Sequence, residues 1–557
     1  MRRTPKDLTC LLLACAAAIG LAACGDRKSD RAAVGARDGD EQTGGTIRAA
    51  YTSFPDSLDP ALSYTAEGWQ TLWTVYTPLL TYKHAEGVAG TELVPGLAGA
   101  LPAISKDGRT YTLELRDGLR YSDGRAVKAS DFEHAVKRVL NLRSGGSAFY
   151  LGIHGAEKYV EDDRAHADIA GIQTDDATGE IKIRLTEADG SFSNILAMSF
   201  AGVVPGDTPF ADQTKSPPPG VGPYRLANVR TGRGYDLVKV AAFEVDGIPR
   251  GKLDEIEVDI IKDRRRQTRA TIRNKVDYMG DPPAPDRIGA VRQRYEGERY
   301  REFVTNSTYY FFLNTRVAPF DSKEVRQAVN HAIDKRALRR LFGGLLEPGC
   351  NFLPPAMKGH RKIEPCPYGD PARAPDVARA RQLIRRAGVA GDAVTVYNSD
   401  EPESQPIGDY LAGVLTQIGL KARPRTVEGP AYFPVIGDRR TKAQAGVAHW
   451  FQDYPHPANL MSRVDGASIR RTGNQNFGNV DDRQVNATLA RANANPSLDE
   501  AADGYAAADR RLIEEALVAP YGHRKLTVFM SERMSFEDEC NLVHPVYNSD
   551  LTSFCLK

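Results

Sequence analysis

The sequence predicts an α/β protein. Segments in which apolar and polar residues alternate recur along the chain, and segments with apolar residues at helical spacing lie between them. Strands interleaved with helices argue for layered α/β architecture. The 557 residues exceed what one compact core usually holds, so two or three domains are expected.

Arg2, Arg3 and Lys6 precede an apolar run that closes in Leu21-Ala22-Ala23-Cys24. The run is too short to span a bilayer as a helix, and residues 1–23 read as an export signal. Arg2-Arg3 lacks the apolar flank of a twin-arginine signal, so general secretion is expected. The end of the run resembles the lipobox of bacterial lipoproteins, which implies cleavage before Cys24 and lipidation at that cysteine. Two or more acyl chains anchor stably, because each buried CH2 contributes about 0.8 kcal/mol. An ordinary cleaved signal with an unrelated cysteine is the competing assignment. Residues 24–43, rich in Gly, Asp, Arg and Ala, read as a flexible tether, and the folded body is expected from Gly44.

Tyr111, Leu113 and Leu115 alternate with Thr112, Glu114 and Arg116, and the turn signals Asp117-Gly118 and Asp123-Gly124 come next, which predicts a β-hairpin. Ser130 and Glu133 form a capping-box pattern ahead of the helical face Ala135, Val136, Val139 and Leu140. Ile256, Val258 and Ile260 alternate with Glu255, Glu257 and Asp259, a strand; residues 308–313 and 393–397 are two more. Val325, Val329, Ile333 and Leu341 share a helical face that stops at Gly343-Gly344. Ile407, Leu411, Val414, Leu415 and Ile418 keep helical period up to Gly419, and residues 501–517 form another helix. No short repeat and no Pro/Gly linker divides the body, so the lobes are expected to exchange strands rather than sit in series.

Lys+Arg (73) and Asp+Glu (72) cancel, which leaves no basic excess of the kind nucleic acid demands. Cys10 and Cys15 leave with the export segment. Cys350, Cys366, Cys540 and Cys555 remain, an even number that suggests two disulfides with three possible connectivities. The local pairs are the simplest, each closing a loop of about 15 residues worth roughly 3 kcal/mol. A zinc site from the same four is the alternative, but close C-x-x-C spacing is missing.

Several motifs occur in a fixed order: Gly44-Gly45-Thr46-Ile47-Arg48, Asp56-Ser57-Leu58-Asp59-Pro60, Val94-Pro95-Gly96-Leu97-Ala98, residues 111–118 with Tyr121-Ser122-Asp123-Gly124 and Ala129-Ser130-Asp131-Phe132, Gly220-Val221-Gly222-Pro223-Tyr224, residues 325–334, and Trp450-Phe451-Gln452-Asp453-Tyr454-Pro455. In this order and behind a lipobox they resemble solute-binding protein family 5 of ABC importers, the oligopeptide- and dipeptide-binding group. The resemblance implies a two-lobed periplasmic-binding-protein type II fold with an extra α/β subdomain inserted in lobe I. On that basis lobe I is expected over 44–306, with the insert at roughly 79–200, lobe II over 307–520, and a C-terminal return to lobe I over 521–557.

The family implies an extracytoplasmic, lipid-anchored, monomeric receptor that captures short peptides between its lobes. It would deliver them to ABC permease subunits driven by a cytoplasmic ATPase, with no cofactor, no resident metal and no nucleic acid. A buried α-ammonium needs a carboxylate partner. In oligopeptide-binding members the aspartate of the W-x-x-D segment holds the ligand's amino terminus, and Asp453 matches it, with Trp450 and Tyr454 as a low-dielectric wall. The competing assignment has Trp450 filling the second lobe's core and Asp453 capping a loop. Tyr64, Trp69 and Trp73 come after the Asp59-Pro60 turn and either line the first-lobe side of the cleft or form the buried face of a helix. Asn476 and Phe477 lie on a Gly/Asn-rich loop that tends to face the cleft. Tyr224 in the G-x-G-P-Y turn reads as structural.

The chain carries no G-x-S-x-G, S-x-x-K or H-E-x-x-H pattern and no phosphate-binding G-x-x-x-x-G-K-S/T loop, so enzyme readings have little support. His449 and His456 flank the W-x-x-D segment and are candidates for binding a metal or a metal chelate. Besides a peptide, the same scaffold could take an oligosaccharide, an opine or a metal chelate; a secreted enzyme or signalling lipoprotein on a related scaffold is the remote alternative.

Overall fold

One strand, Ala519–Met530, joins two sets of strands into one continuous sheet. The computed structural model describes residues 43–161 and 167–557; the export segment, Cys24 and the tether up to residue 42 lie outside these. The first part of the long strand pairs antiparallel with Ser307–Leu313, through Tyr309↔Gly522 and Phe311↔Ala519. Beyond Ser307–Leu313 come Ala445–Phe451, Ala393–Ser399 and Lys421–Val427. The last part of the long strand pairs with Tyr300–Val304 and Tyr278–Met279, and that side continues through Thr46–Tyr51, Glu255–Ile260, Gly234–Lys239 and Tyr224–Arg230. These are the cores of two lobes, with residues 305–306 as a second crossing. The expected two-lobed α/β architecture is therefore present.

Thr46–Tyr51 lies parallel to Glu255–Ile260, with Ile47 opposite Ile256 and Ala49 opposite Val258. The alternation read from the sequence holds: Ile256 and Val258 are buried, while Glu255, Glu257 and Asp259 face outward. A parallel pair needs a long crossover, and this one carries a separate four-stranded sheet of Ala103–Ile104, Thr110–Glu114, Glu180–Arg184 and Ile172–Thr174. The helix Ala129–Asn141 covers it with Phe132, Val136, Val139 and Leu140. The chain end returns to the first lobe, where Leu551, Phe554 and Leu556 pack with Ile47 and Val258. In the second lobe, Ser404–Ile418 buries Leu411, Leu415 and Ile418 and stops at Gly419, whose φ of 113° only glycine adopts freely. Each such aliphatic side chain contributes about 1.5–3 kcal/mol when buried.

Three local expectations are corrected. Thr110–Glu114 forms no hairpin with the residues C-terminal to it; its partners are Ala103–Ile104 and Glu180–Arg184, and Asp123-Gly124 closes only the bridge Arg120↔Ala126. The residues after Arg116 do not alternate and offer no second strand. The next helix starts one residue before Ser130, so the capping box shifts: Asp131 accepts the Lys128 N–H at 2.9 Å. Ser130 instead donates to Asp176, and Glu133 accepts the Ile169 N–H. The single helix expected over 325–341 is two, Lys323–Ala332 and Lys335–Leu341, because Asp334 accepts the N–H groups of Arg336 and Ala337 and starts a new helix.

Cys350 pairs with Cys366 and Cys540 with Cys555, at Cα separations of 6.0 and 5.2 Å, within the usual disulfide range. In the G-x-G-P-Y turn a Cβ on Gly222 would stand 2.5 Å from the Thr74 carbonyl oxygen, so backbone packs on backbone there. Tyr224 is fully buried and donates to the Leu253 carbonyl at 3.1 Å.

Candidate functional site

On the first-lobe side two aspartates organise the loop after Thr46–Tyr51. Asp56 accepts the Tyr64 backbone N–H at 2.8 Å and the Thr65 hydroxyl at 3.0 Å. Asp59 receives both terminal nitrogens of Arg138 at 2.9 and 2.7 Å, together with the N–H groups of Ala61 and Gln213. Both side chains of this pair are fully buried. The pair pins the loop to Ala129–Asn141 and thereby sets where Tyr64 and the helix Ala66–Leu72 project. Trp69 on that helix stacks on Tyr64, with ring centroids 5.4 Å apart, and donates its indole N–H to the Ser63 carbonyl at 2.7 Å.

On the second-lobe side Ala445–Phe451 places Trp450 opposite Thr308 and Phe451 opposite Ser307, next to the crossing. His449 lies flat on Tyr309 at 5.0 Å. His456 accepts the Ala458 N–H and caps the helix Pro457–Met461. That helix brings Asn459 onto Asp453: the Asp453 N–H donates to Asn459 Oδ1 at 2.9 Å, and Asn459 Nδ2 donates to Asp453 Oδ2 at 2.6 Å. Arg463 Nη2 stands 3.9 Å from the same oxygen, with its guanidinium 3.6 Å from the Trp450 ring centroid.

The lobes meet at this carboxylate. Tyr64 donates its hydroxyl to Asp453 Oδ1 at 3.0 Å. Gln452 Nε2 donates to the Pro545 carbonyl at 2.9 Å, and the Gly190 N–H to the Asn493 carbonyl at 2.9 Å. Between them lies a cavity of about 500 Å³, walled by Tyr64, Trp69 and Val546 on one side and by Phe433, His449, Trp450, Phe451 and Asp453 on the other, with Asn306 at the crossing. The volume suits a small organic ligand.

Burial pushes the Asp453 carboxyl above its ordinary value, against the hydrogen bonds of Asn459 and Tyr64, the Arg463 charge and the nearby Trp450 indole, which closes no hydrogen bond of its own. Burial lowers His449 to about 4, so its imidazole is uncharged at neutral pH. The cavity therefore offers one buried carboxylate, partly compensated, among aromatic walls and neutral polar groups.

Of the residues singled out in the sequence, Asp453, Trp450, Tyr64 and Trp69 come together on the cavity wall. Trp73, Tyr454, Asn476 and Phe477 do not line this cavity, which corrects their expected place at the ligand: of the two places expected for Trp73 it takes the buried one, and Tyr454 lies between the lobes without lining the cavity. Trp73 is stacked between His84 and Tyr547 at 4.2 and 4.4 Å in the first-lobe core. Tyr454 packs against Phe149, with its hydroxyl 3.4 Å from Ser191 Oγ, as a contact between lobes. Asn476 donates to the carbonyls of Asp465 and Val480 and accepts the Val480 N–H, which holds its loop. Phe477 stacks behind Phe433 at 5.7 Å. His456 is the helix cap above, and among the described residues no group of three or more His, Cys, Asp or Glu is placed to hold a metal.

Sequence reasoning missed Asn306, Phe433, Phe451 and Arg463. Phe433 and Phe451 stand out only through their exposure, 39% and 40%, which a linear pattern does not reveal. Arg463 is legible only as a partner demanded by a buried Asp453.

No helix among the described residues is long and apolar enough to cross a membrane. The chain is 25% identical to the protein named Heme-binding protein A of Haemophilus influenzae, over 93% of this chain and 94% of that one. It is 29% identical to the Glutathione-binding protein GsiB of Salmonella typhimurium, over 58% of each. The solved structure of Clavulanic acid biosynthesis oligopeptide binding protein 2 superposes with a TM-score of 0.84 at 25% identity, covering 93% of this chain and 96% of that one. Residues 92–470, more than half of the chain, match the family described as Bacterial extracellular solute-binding proteins, family 5 Middle. The chain belongs to the family 5 extracellular solute-binding proteins of ABC importers.

Proposed function

We propose that this chain is a lipid-anchored receptor that captures short peptides in the cleft and delivers them intact to a membrane permease of an ABC importer. The observation that supports this most is the buried Asp453 carboxylate on an aromatic-walled cavity. A carboxylate offers about four acceptor positions, and Tyr64 and Asn459 occupy two of them. The Arg463 nitrogen, at 3.9 Å, is too distant for a hydrogen bond. A peptide's α-ammonium takes a remaining position, restores the ionised form that burial disfavours, and has its charge answered where water is scarce. The Tyr64 contact comes from the opposite lobe, so it forms with closure and dissolves on opening. The ligand shifts that equilibrium by its greater affinity for the closed form. Cys24 carries the anchor, residues 24–43 are the tether, residues 305–306 and the middle of Ala519–Met530 are the hinge, and no bond of the solute is broken. The relatives named for oligopeptides and for glutathione, itself a short peptide, agree with this reading.

A flat apolar solute such as heme is the second reading. It is favoured by the neutral His449 among Phe433, Phe451 and Trp450, and by the relative named for heme. Mass spectrometry of small molecules released from the purified full chain separates the two. Peptides are expected; heme, a sugar or another chelate in their place would overturn the peptide assignment.

A further inference from the structure

Residues 305–306 join Tyr300–Val304 of one lobe to Ser307–Leu313 of the other. The crossing is tied down on both flanks: the Thr305 N–H donates to the Arg524 carbonyl at 2.9 Å, and the Arg524 N–H to Ser307 Oγ at 3.0 Å. Asn306 sits between these ties, and its carbonyl accepts the Gln452 N–H at 3.0 Å. Asn306 is one of the residues lining the cavity, is 3% exposed, and has neither Oδ1 nor Nδ2 hydrogen-bonded among the described residues. Gln452, on the same wall, spends its Nε2 on Pro545 and leaves its Oε1 without a partner. A buried primary amide with both ends open is costly to a fold. Two amide side chains on one cavity, one open at both ends and one at its oxygen, joined through a backbone hydrogen bond, mark a place built to be completed by a ligand.

The missing complement has a definite chemistry. Asn306 asks for one acceptor and one donor side by side, and Gln452 asks for a further donor. Sugars offer hydroxyls that serve either role. An extended peptide offers the N–H and C=O of one residue on the same edge, the pairing that closely spaced antiparallel strands exchange. The N–H of that residue belongs to the preceding peptide bond, so the residue read in this way is not the amino-terminal one. We propose that the Asn306 side-chain amide grips the N–H and C=O of a non-terminal residue of an extended peptide, with Gln452 Oε1 taking a further N–H. This rests on the reading of the cleft as a peptide site and adds a requirement for main-chain amides to it. Because Asn306 lies on the hinge, its grip is available with the lobes apart or together, whereas Asp453 meets Tyr64 only when they close.

The test uses the full chain and an equimolar library of free-amino tripeptides, screened by native mass spectrometry. The best binder is then compared with analogues in which each peptide N–H is replaced in turn by an ester oxygen, on wild type and on Asn306→Leu. One ester position is expected to weaken wild-type binding about tenfold and Asn306→Leu binding less than twofold, with Asn306→Leu itself weakening the parent peptide about 10- to 100-fold. Without ligand, Asn306→Leu is expected to melt no lower than wild type, since it removes an unpaired buried amide. Equal ester effects on both proteins, or a lower melting temperature without ligand, would overturn the role of Asn306 alone. No tripeptide retained by the wild type would overturn the peptide site itself.

Discussion

Among the described residues two aspartate–arginine pairs are buried, and they differ in completeness. Asp59 and Arg138 meet through two hydrogen bonds of 2.9 and 2.7 Å, and Asp59 takes two backbone N–H groups besides. Asp453 and Arg463 stand 3.9 Å apart, and one of the carboxylate's hydrogen bonds comes from Tyr64 on the other lobe. A saturated pair has nothing to offer a solute and holds a loop in place. An unsaturated one beside a cavity has capacity left and couples the lobes. Sequence alone places both aspartates in motifs of equal prominence; only the geometry separates the strut from the candidate site.

Breaking the saturated pair is expected to have the largest effect. Arg138→Ala leaves Asp59 buried without its countercharge and is expected to cost about 3–5 kcal/mol of stability in chemical denaturation. The unsaturated pair behaves differently: Asp453→Asn breaks no direct carboxylate–guanidinium hydrogen bond and is expected to cost less stability than Arg138→Ala, while weakening peptide affinity by about 2–5 kcal/mol in titration calorimetry. Equal stability losses for the two variants would erase the distinction. The pH profile sharpens it. The wild-type affinity for a free-amino peptide falls as pH drops through the raised Asp453 carboxyl value, because a protonated carboxyl cannot pair with an ammonium. His449 does not contribute until pH approaches 4.

Stability has its own acid limb beside the crossing. His523, buried and donating Nδ1–H to the Ser307 carbonyl, is lowered to about 4, mainly by burial, with Lys335 and His360 also opposing its charge and Glu347 favouring it. Its unfolded value lies near 6.5, so the folded value is depressed. The stability it contributes is fully present above about pH 6.5 and is lost as pH falls toward 4, amounting to about 3 kcal/mol. A denaturation series over that window, made shallower by His523→Asn, checks it; His449 and His456, also lowered by burial, keep part of the slope. The smallest expected effect is Tyr64→Phe, which removes one hydrogen bond across the lobes. It is expected to weaken peptide binding by about 0.5–1.5 kcal/mol, mainly by faster dissociation in stopped-flow tryptophan fluorescence. Trp69 and Trp450, two of the three tryptophans, line the cavity and supply the signal.

The fold was legible where local pattern decides it. Alternation located Glu255–Ile260, and helical spacing with Gly419 located Ser404–Ile418. It was not legible where a distant partner decides. Thr110–Glu114 finds its mate at Glu180–Arg184, and Asp334 divides a helix that apolar spacing alone would continue. The site shows the same limit. Asp453 and Trp450 were reachable through a motif, and Tyr64 and Trp69 through aromatic content after a turn. Trp73 and Phe477 have the same composition but are used as packing. Asn306 carries no signal at all in one dimension, since an asparagine between two strands reads as a turn until both ends of its amide are seen to lack partners.

The most direct test of the cleft as a peptide receptor anchored at Asp453 is calorimetric titration of one short peptide in two forms, with a free and with an acetylated amino terminus. The free form is expected to bind wild type tighter by about 2–5 kcal/mol and to lose that advantage on Asp453→Asn. Equal affinity of the two forms for wild type would contradict the account.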